Sequence, residues 1–250
     1  MSDVITSPCH SLIEQASAAS QSKTSINADG FGVAWYDQRP EPGLFRDVFP
    51  AWSDANLASL TDQVRAPLFL AHVRASTETA TSRNNCHPFA SGSWSFMHNG
   101  QIGDFGQFRK AADMCISDAL YPDRKGATDS EALFLMALSM GLADDPRRAL
   151  ERATAKMVEV GQSKGFDPLV RMTVAMTDGK RLFAARYASD AFAPSLYYRW
   201  SDETNGWSVV SEPYDQDAEW HEVPPGSFVT FEGRNRTILP FAPRVAALAA

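Results

Sequence analysis

Apolar positions along this chain repeat with two different periods, and the change between them divides it. Downstream of residue 169 the repeat is that of strands. Residues 171–177 and 181–187 flank Asp178-Gly179, residues 196–200 and 207–211 flank Asn205-Gly206, and residues 227–232 and 236–239 follow Pro224-Pro225-Gly226. A pair such as Asp-Gly tolerates the positive φ angles of a two-residue turn, so this half predicts a run of hairpins.

Upstream, helical periods alternate with continuous apolar runs. Ser7 and Pro8, followed by Leu12, Ile13 and Ala16 on one face, predict a helix over 8–19 capped by Ser7. After the turn residues Asn27-Ala28-Asp29-Gly30, positions 31–36 predict a strand with little room for a wet face. Positions 44–49 predict a second strand, and Ser53 caps a helix through Val64 with Leu57 and Leu60 inward. The unbroken run Leu68-Phe69-Leu70-Ala71 within 67–74 predicts a strand covered on both faces, because a half-wet strand alternates. Positions 94–97 form another, and 103–114 a weaker helix with Gly106 inside it. Thr128-Asp129-Ser130-Glu131 has the form of a capping box and opens an apolar helix over 129–140. Pro146 starts one more, with Leu150, Ala153 and Met157 on one face and Gly161 or Gly165 at its end; the Ala-rich 246–250 is expected to fray. Early strands, middle helices and late hairpins, with no repeat or linker-like break, predict one α+β domain over 1–250.

Composition narrows the partners. Lys plus Arg number 23 against 30 Asp plus Glu, a net charge of −7, which argues against nucleic acid or an anionic membrane and for a small molecule or a protein. No uncharged apolar stretch reaches membrane-spanning length, and the first residues lack the basic start and apolar run of a signal peptide. Cys9, Cys86 and Cys115 are an odd number without framework spacing, which points to a reduced, cytoplasmic setting.

The candidate chemistry lies between residues 72 and 100. Arg74 can grip a carboxylate through two parallel N–H bonds. Asn99 offers a side-chain amide and Gly100 a backbone N–H with no Cβ in the way, a pair able to stabilise an oxyanion, although Asn-Gly is equally a hairpin turn. His10, His72, His87 and His98 beside Cys9 and Cys86 invite a zinc reading, but no pair has the spacing of a zinc site, so neither metal nor cofactor is expected. Gly30-Phe31-Gly32 lacks a third glycine, and no phosphate-loop lysine or Gly-x-Ser-x-Gly elbow is present.

Taken together, Asn27 to Tyr36, His72-Val73-Arg74-Ala75-Ser76-Thr77, Asn85-Cys86-His87-Pro88-Phe89, Met97-His98-Asn99-Gly100, Thr128-Asp129-Ser130-Glu131 and Ser211-Glu212-Pro213 resemble one family. It is the class II glutamine amidotransferases, N-terminal-nucleophile (Ntn) hydrolases, closest to the stand-alone members that include γ-glutamyl amide hydrolases. The resemblance covers residues 7–233. It implies a four-layer αββα sandwich and a glutamine or γ-glutamyl substrate, with Arg74 on the α-carboxylate and Asp129 on the α-ammonium. Asn99 and Gly100 then form the oxyanion hole, and Thr77 and His87 line the pocket. By local sequence alone, Asp129 is equally a helix-start acid favoured by the macrodipole.

The family's nucleophile is a cysteine at residue one whose own α-amine handles the proton. This sequence starts Met1-Ser2. Aligned through Pro8-Cys9-His10-Ser11-Leu12, it is expected to lack about fifteen to twenty residues, enough for the first strand and a turn, and to be inactive as given. The expected activity is γ-amide cleavage through a thioester, the ammonia passing to an accepting partner subunit or a homo-oligomer, or the amide simply being hydrolysed. The alternative is a non-catalytic protein that binds glutamine-like ligands.

Overall fold

The structure is a computed structural model that describes residues 1–7, 11–18, 26–75, 80–215 and 219–245, so Thr77, Cys9, His10 and the Ala-rich end lie outside the described residues. Its first sheet has three antiparallel strands, Phe31–Tyr36 (β1), Gly43–Asp47 (β2) and Leu68–Val73 (β3), in the order β2-β1-β3. One face of it is covered by the short helices Ser2–Ile5 (α1) and Leu12–Ser17 (α2) and by Ala55–Gln63 (α3). Phe31 and Val33 of β1 and Phe69, Ala71 and Val73 of β3 pack with Ile5, Ala16 and Leu57 there. Successive strand residues face opposite sides, so Leu70, His72 and the following Arg74 turn the other way.

A second sheet faces that inner surface. Phe89–Ser91 (β4), Trp94–Ile102 (β5), Val170–Thr177 (β6), Leu182–Ala188 (β7), Ser227–Glu232 (β11) and Asn235–Pro240 (β12) run in the order β12-β11-β7-β6-β5-β4, all antiparallel. Its outer face carries Trp94, Phe96, Val170, Met172, Val174, Met176 and Phe183, packed under Phe105–Asp113 (α4), Asp129–Ser139 (α5) and Pro146–Ser163 (α6). Every residue of α5 from Ser130 to Ala137 is buried, as its all-round apolar sequence requires of a helix between a sheet and two other helices. A small sheet of Tyr197–Ser201 (β8), Gly206–Val210 (β9) and His221–Glu222 (β10) covers Ala184, Val229 and Phe231 on the inner side of β7 and β11. The result is helices, sheet, sheet, helices. No described helix is long and apolar enough to cross a membrane.

The contact between the two large sheets is partly polar. The buried Tyr36 hydroxyl of β1 donates at 2.9 Å to the Ser93 carbonyl and shares a 2.7 Å hydrogen bond with Ser95 Oγ of β5. Burial pushes the Tyr36 phenol up to about 12, so it stays a donor. Opposite His72, Gly32 lets the chain at His87 come close: a Cβ there would lie 2.2 Å from the His87 carbonyl oxygen. The His72 and His87 rings meet at 4.4 Å between centroids in this gap.

Several local expectations need correction. The helix after Asp54 is capped by Asp54, whose Oδ1 accepts from the Asn56 and Leu57 amides, while Ser53 ends a 3-10 turn. Ser11, not Ser7, caps α2, accepting from the Glu14 amide. Thr128 caps α5, but Glu131 does not reach back to it; its carboxylate is taken by Arg124 Nη1 and the Lys125 and Gly126 amides. β3 is only half buried, because among the described residues it pairs with β1 alone. The two shortest strands, β4 and β10, carry too few residues for an alternating pattern to register.

Two expectations for stability follow. Tyr36→Phe removes the donor to the Ser93 carbonyl and the partner of Ser95, and should lower unfolding free energy by about 1–3 kcal/mol in denaturant titration. Burial, reinforced by His98 and Arg74, lowers the His72 pKa from 6.5 to about 4, and that of His87 falls well below 6.5 for similar reasons. The unfolded chain therefore binds more protons over that interval, so stability should hold above about pH 6.5 and be lost as pH falls toward 4. Thermal unfolding against pH checks this, and a His72→Asn/His87→Asn double variant should flatten the profile.

Candidate active site

Arg74 follows β3 directly and is held by its own backbone: its amide donates to the Gly30 carbonyl at 2.8 Å, and its carbonyl accepts from the Asp29 amide at 2.9 Å. Its side chain is buried, with Nη1 donating to the Asp29 carbonyl at 3.3 Å. These bonds fix where the guanidinium sits at the end of β3.

Across the gap, Asn99 and Gly100 do not make a hairpin turn. β5 does not stop at Met97 but runs on to Ile102, pairing Asn99 with Thr173 and Gly100 with Met172 of β6. Thr173 Oγ1 donates to the Asn99 carbonyl at 3.3 Å, and both Asn99 and Gly100 are exposed. Gly100 has φ +146°, and a Cβ on it would lie 1.9 Å from the Arg171 carbonyl oxygen. No other residue fits that backbone without moving β6.

Asp129 is the first residue of α5, and its carboxylate crosses to the end of β5. Oδ2 accepts from the Ile102 amide at 2.7 Å; Oδ1 accepts from the Ser130 amide at 2.8 Å and the Ser130 hydroxyl at 3.1 Å. A carboxylate has roughly four acceptor positions, so capacity remains for a ligand donor.

His87 is an electrostatic neighbour of Arg74, His72 and His98. It is 6% exposed, and neither ring nitrogen has a hydrogen-bond partner. Burial first, then His72, His98, Arg74 and Arg46, keep the ring neutral. Its loop is tied down on both sides: Asn85 accepts from the Ala127 amide at 2.7 Å, and the Cys86 thiol contacts the Asp47 carbonyl at 3.4 Å. Burial raises the Cys86 pKa despite the neighbouring Arg74 and Arg46, so this cysteine is a poor nucleophile. Thr77, the remaining expected pocket residue, lies outside the described residues.

Two histidines join the site that sequence reasoning did not assign to it. His72 stacks on His87 and is within electrostatic reach of His98 and Arg74. His98 packs on the helix side of β5, with Nδ1 2.9 Å from Ser130 Oγ. Burial lowers its pKa against the opposing pull of Asp129 and the Arg171 backbone. The only sequence signal was their repeated adjacency to the candidate residues, which was read as a zinc question. Among the described residues no group of three or more His, Cys, Asp or Glu side chains could hold a metal ion. Arg74, His72, His87, His98 and Asp129 thus form a continuous chain of electrostatic neighbours, with exposed Asn99 and Gly100 beside it.

Comparison with known proteins gives the chain's family. The sequence model "Glutamine amidotransferases class-II" matches residues 1–198. A glutamine aminotransferase class-II domain protein from Silicibacter pomeroyi has a solved structure that superposes with a TM-score of 0.77 at 53% identity, over 85% of this chain and 92% of that one. The chain is 31% identical to the probable glutamine amidotransferase DUG3 of Saccharomyces cerevisiae, over 96% of this chain and 79% of that protein. It is 27% identical to the gamma-glutamyl-hercynylcysteine sulfoxide hydrolase of Mycolicibacterium smegmatis, over 96% of this chain and 94% of that protein. With its two facing sheets between helical layers and its match along most of the sequence, the chain belongs to the class II glutamine amidotransferases and has their Ntn-hydrolase fold.

Proposed function

We propose that this site binds the glutamyl head of glutamine or of a γ-glutamyl amide and presents its γ-carbonyl for cleavage. A glutamyl head has an α-carboxylate, an α-ammonium and a side-chain amide, so its site needs a cation, an anion and an oxyanion hole. Arg74 takes the carboxylate, Asp129 the ammonium, and the Asn99 amide with the Gly100 N–H the carbonyl oxygen; His87 and Thr77 line the pocket. The observation that carries the reading is Asp129 bound to the Ile102 amide, which fixes a carboxylate three residues beyond Asn99 on the same strand.

The electrophile and its oxyanion hole require a nucleophile. The described cysteines are poor candidates, because Cys86 is buried with a raised pKa and Cys115 belongs to the opposite core under the helices. In this reading a cysteine with a free α-amine attacks the γ-carbonyl, the carbonyl π-electrons move to oxygen, and collapse expels the protonated amine to leave a γ-glutamyl thioester. Water then releases glutamate. A form whose N-terminal residue is such a cysteine hydrolyses the amide, and the residues named above supply binding. The gamma-glutamyl-hercynylcysteine sulfoxide hydrolase relative favours hydrolysis of a γ-glutamyl amide over transfer of ammonia to a partner subunit.

Calorimetry with L-glutamine should show binding that Arg74→Ala weakens by at least about tenfold, the loss of hydrogen bonds to a charged group. Absence of binding contradicts the reading. In a form that carries the N-terminal cysteine, Asn99→Ala should lower kcat for glutamate release by about 10²–10³ with a smaller change in KM. A form with that cysteine that binds glutamine but never releases glutamate supports the alternative, a ligand-binding protein without turnover.

A further inference from the structure

His98 stands on the far side of β5 from the ligand gap, yet it touches both halves of the site. Ser130 Oγ lies 2.9 Å from its Nδ1 and 3.1 Å from Asp129 Oδ1. The Ser130 hydroxyl donates its one proton to Asp129 Oδ1, and in the tautomer that carries the ring proton on Nδ1 the imidazole donates to the same hydroxyl oxygen. On its other edge, the ring lies so close to β5 that a Cβ on Gly100 would be 2.9 Å from Nε2. The ring is 2% exposed, and on that edge it meets the Arg171 backbone. An imidazole buried and wedged between α5 and β5 fixes the spacing of the two.

We propose that His98 is a positioning residue that acts through Ser130 to orient the Asp129 carboxylate toward a ligand ammonium, and that it holds Asp129 in register with Gly100. This rests on the reading of Asp129 as the ammonium acceptor. The chain of contacts is directional. The Nδ1–H orients the serine hydroxyl, the hydroxyl occupies Oδ1 on the protein side, and the Ile102 amide occupies Oδ2, which leaves the carboxylate a fixed orientation. Without the imidazole donor, the hydroxyl is free to rotate off Asp129 and the carboxylate loses one of its restraints. Discrimination in favour of an α-amino acid therefore depends on a residue that never touches the ligand.

The test uses a pair of ligands that differ only in the ammonium: L-glutamine and 4-carbamoylbutanoate, each titrated calorimetrically into the wild-type chain and into His98→Ala, His98→Asn and Ser130→Ala, with thermal unfolding of every variant. His98→Ala and Ser130→Ala should each weaken glutamine binding about tenfold, one hydrogen bond in a charged network. Binding of 4-carbamoylbutanoate should stay within about twofold. His98→Asn, whose amide nitrogen can replace Nδ1 as donor to Ser130, should recover most of the glutamine affinity. Equal weakening for both ligands marks His98 as a general packing residue and overturns the proposal, as does unchanged glutamine binding. Should His98→Ala fail to fold, Ser130→Ala and His98→Asn carry the same comparison. A wild-type chain that binds neither ligand overturns the substrate reading itself, whereas wild-type glutamine binding indifferent to His98 and Ser130 overturns the positioning role alone.

Discussion

Neighbouring residues on a strand face opposite sides of its sheet, and β5 turns that constraint into a site. Covered by helices on one face and by the three-stranded sheet on the other, it sends His98 toward α5 and Asn99 toward the gap, and ends at an amide that holds Asp129. Shifting β5 by one residue against β6 would exchange those faces and bring a side chain against the Arg171 carbonyl where only Gly100 fits. The register between β5 and β6 is therefore both a folding constraint and a chemical one. Hydrophobic burial on the helix side, through Trp94, Phe96, Met172, Val174 and Met176, supplies the energy that keeps it.

The gap between the sheets runs against that economy. It buries two neutral imidazoles, His72 and His87, with three ring nitrogens lacking partners, together with the Arg74 guanidinium. Unpaired buried polar atoms oppose folding, and native chains keep few of them without a use. Here they cluster around the groups that a charged, hydrogen-bonding ligand would meet. The surroundings are correspondingly braced: Tyr36 bonds one sheet to the other, Asn85 ties the His87 loop to residue 127, and Glu131 gathers Arg124 and the loop before α5. Rigidity is placed where polarity is least compensated.

Much of this was legible in the sequence, for reasons specific to each element. The Asp178-Gly179 hairpin, strand β1 and the apolar α5 were readable because their signals are local: turn residues between alternating runs, and a capped continuous apolar run. Coverage of β3 was not, because an apolar run records hydrophobicity and not which neighbour arrives to bury it. Asn99-Gly100 was ambiguous in principle, since glycine's positive φ serves a turn and a tight strand pairing alike. Glu131 matched a capping box and took other partners, as Arg124 offers a charge that the Thr128 amide cannot. His98 was weighed only as a metal ligand because its partner, Ser130, stands 32 residues away.

The central claim is that Arg74, Asp129 and the Asn99-Gly100 pair converge on one glutamyl head, and a crystal structure of the chain with L-glutamine addresses it most directly. The account predicts one bound molecule between the sheets, its α-carboxylate on the Arg74 guanidinium, its ammonium on Asp129, and its carboxamide oxygen within hydrogen-bonding distance of Asn99 Nδ2 and the Gly100 amide. Glutamine bound on another surface, or between the sheets with its two ends exchanged, would contradict it.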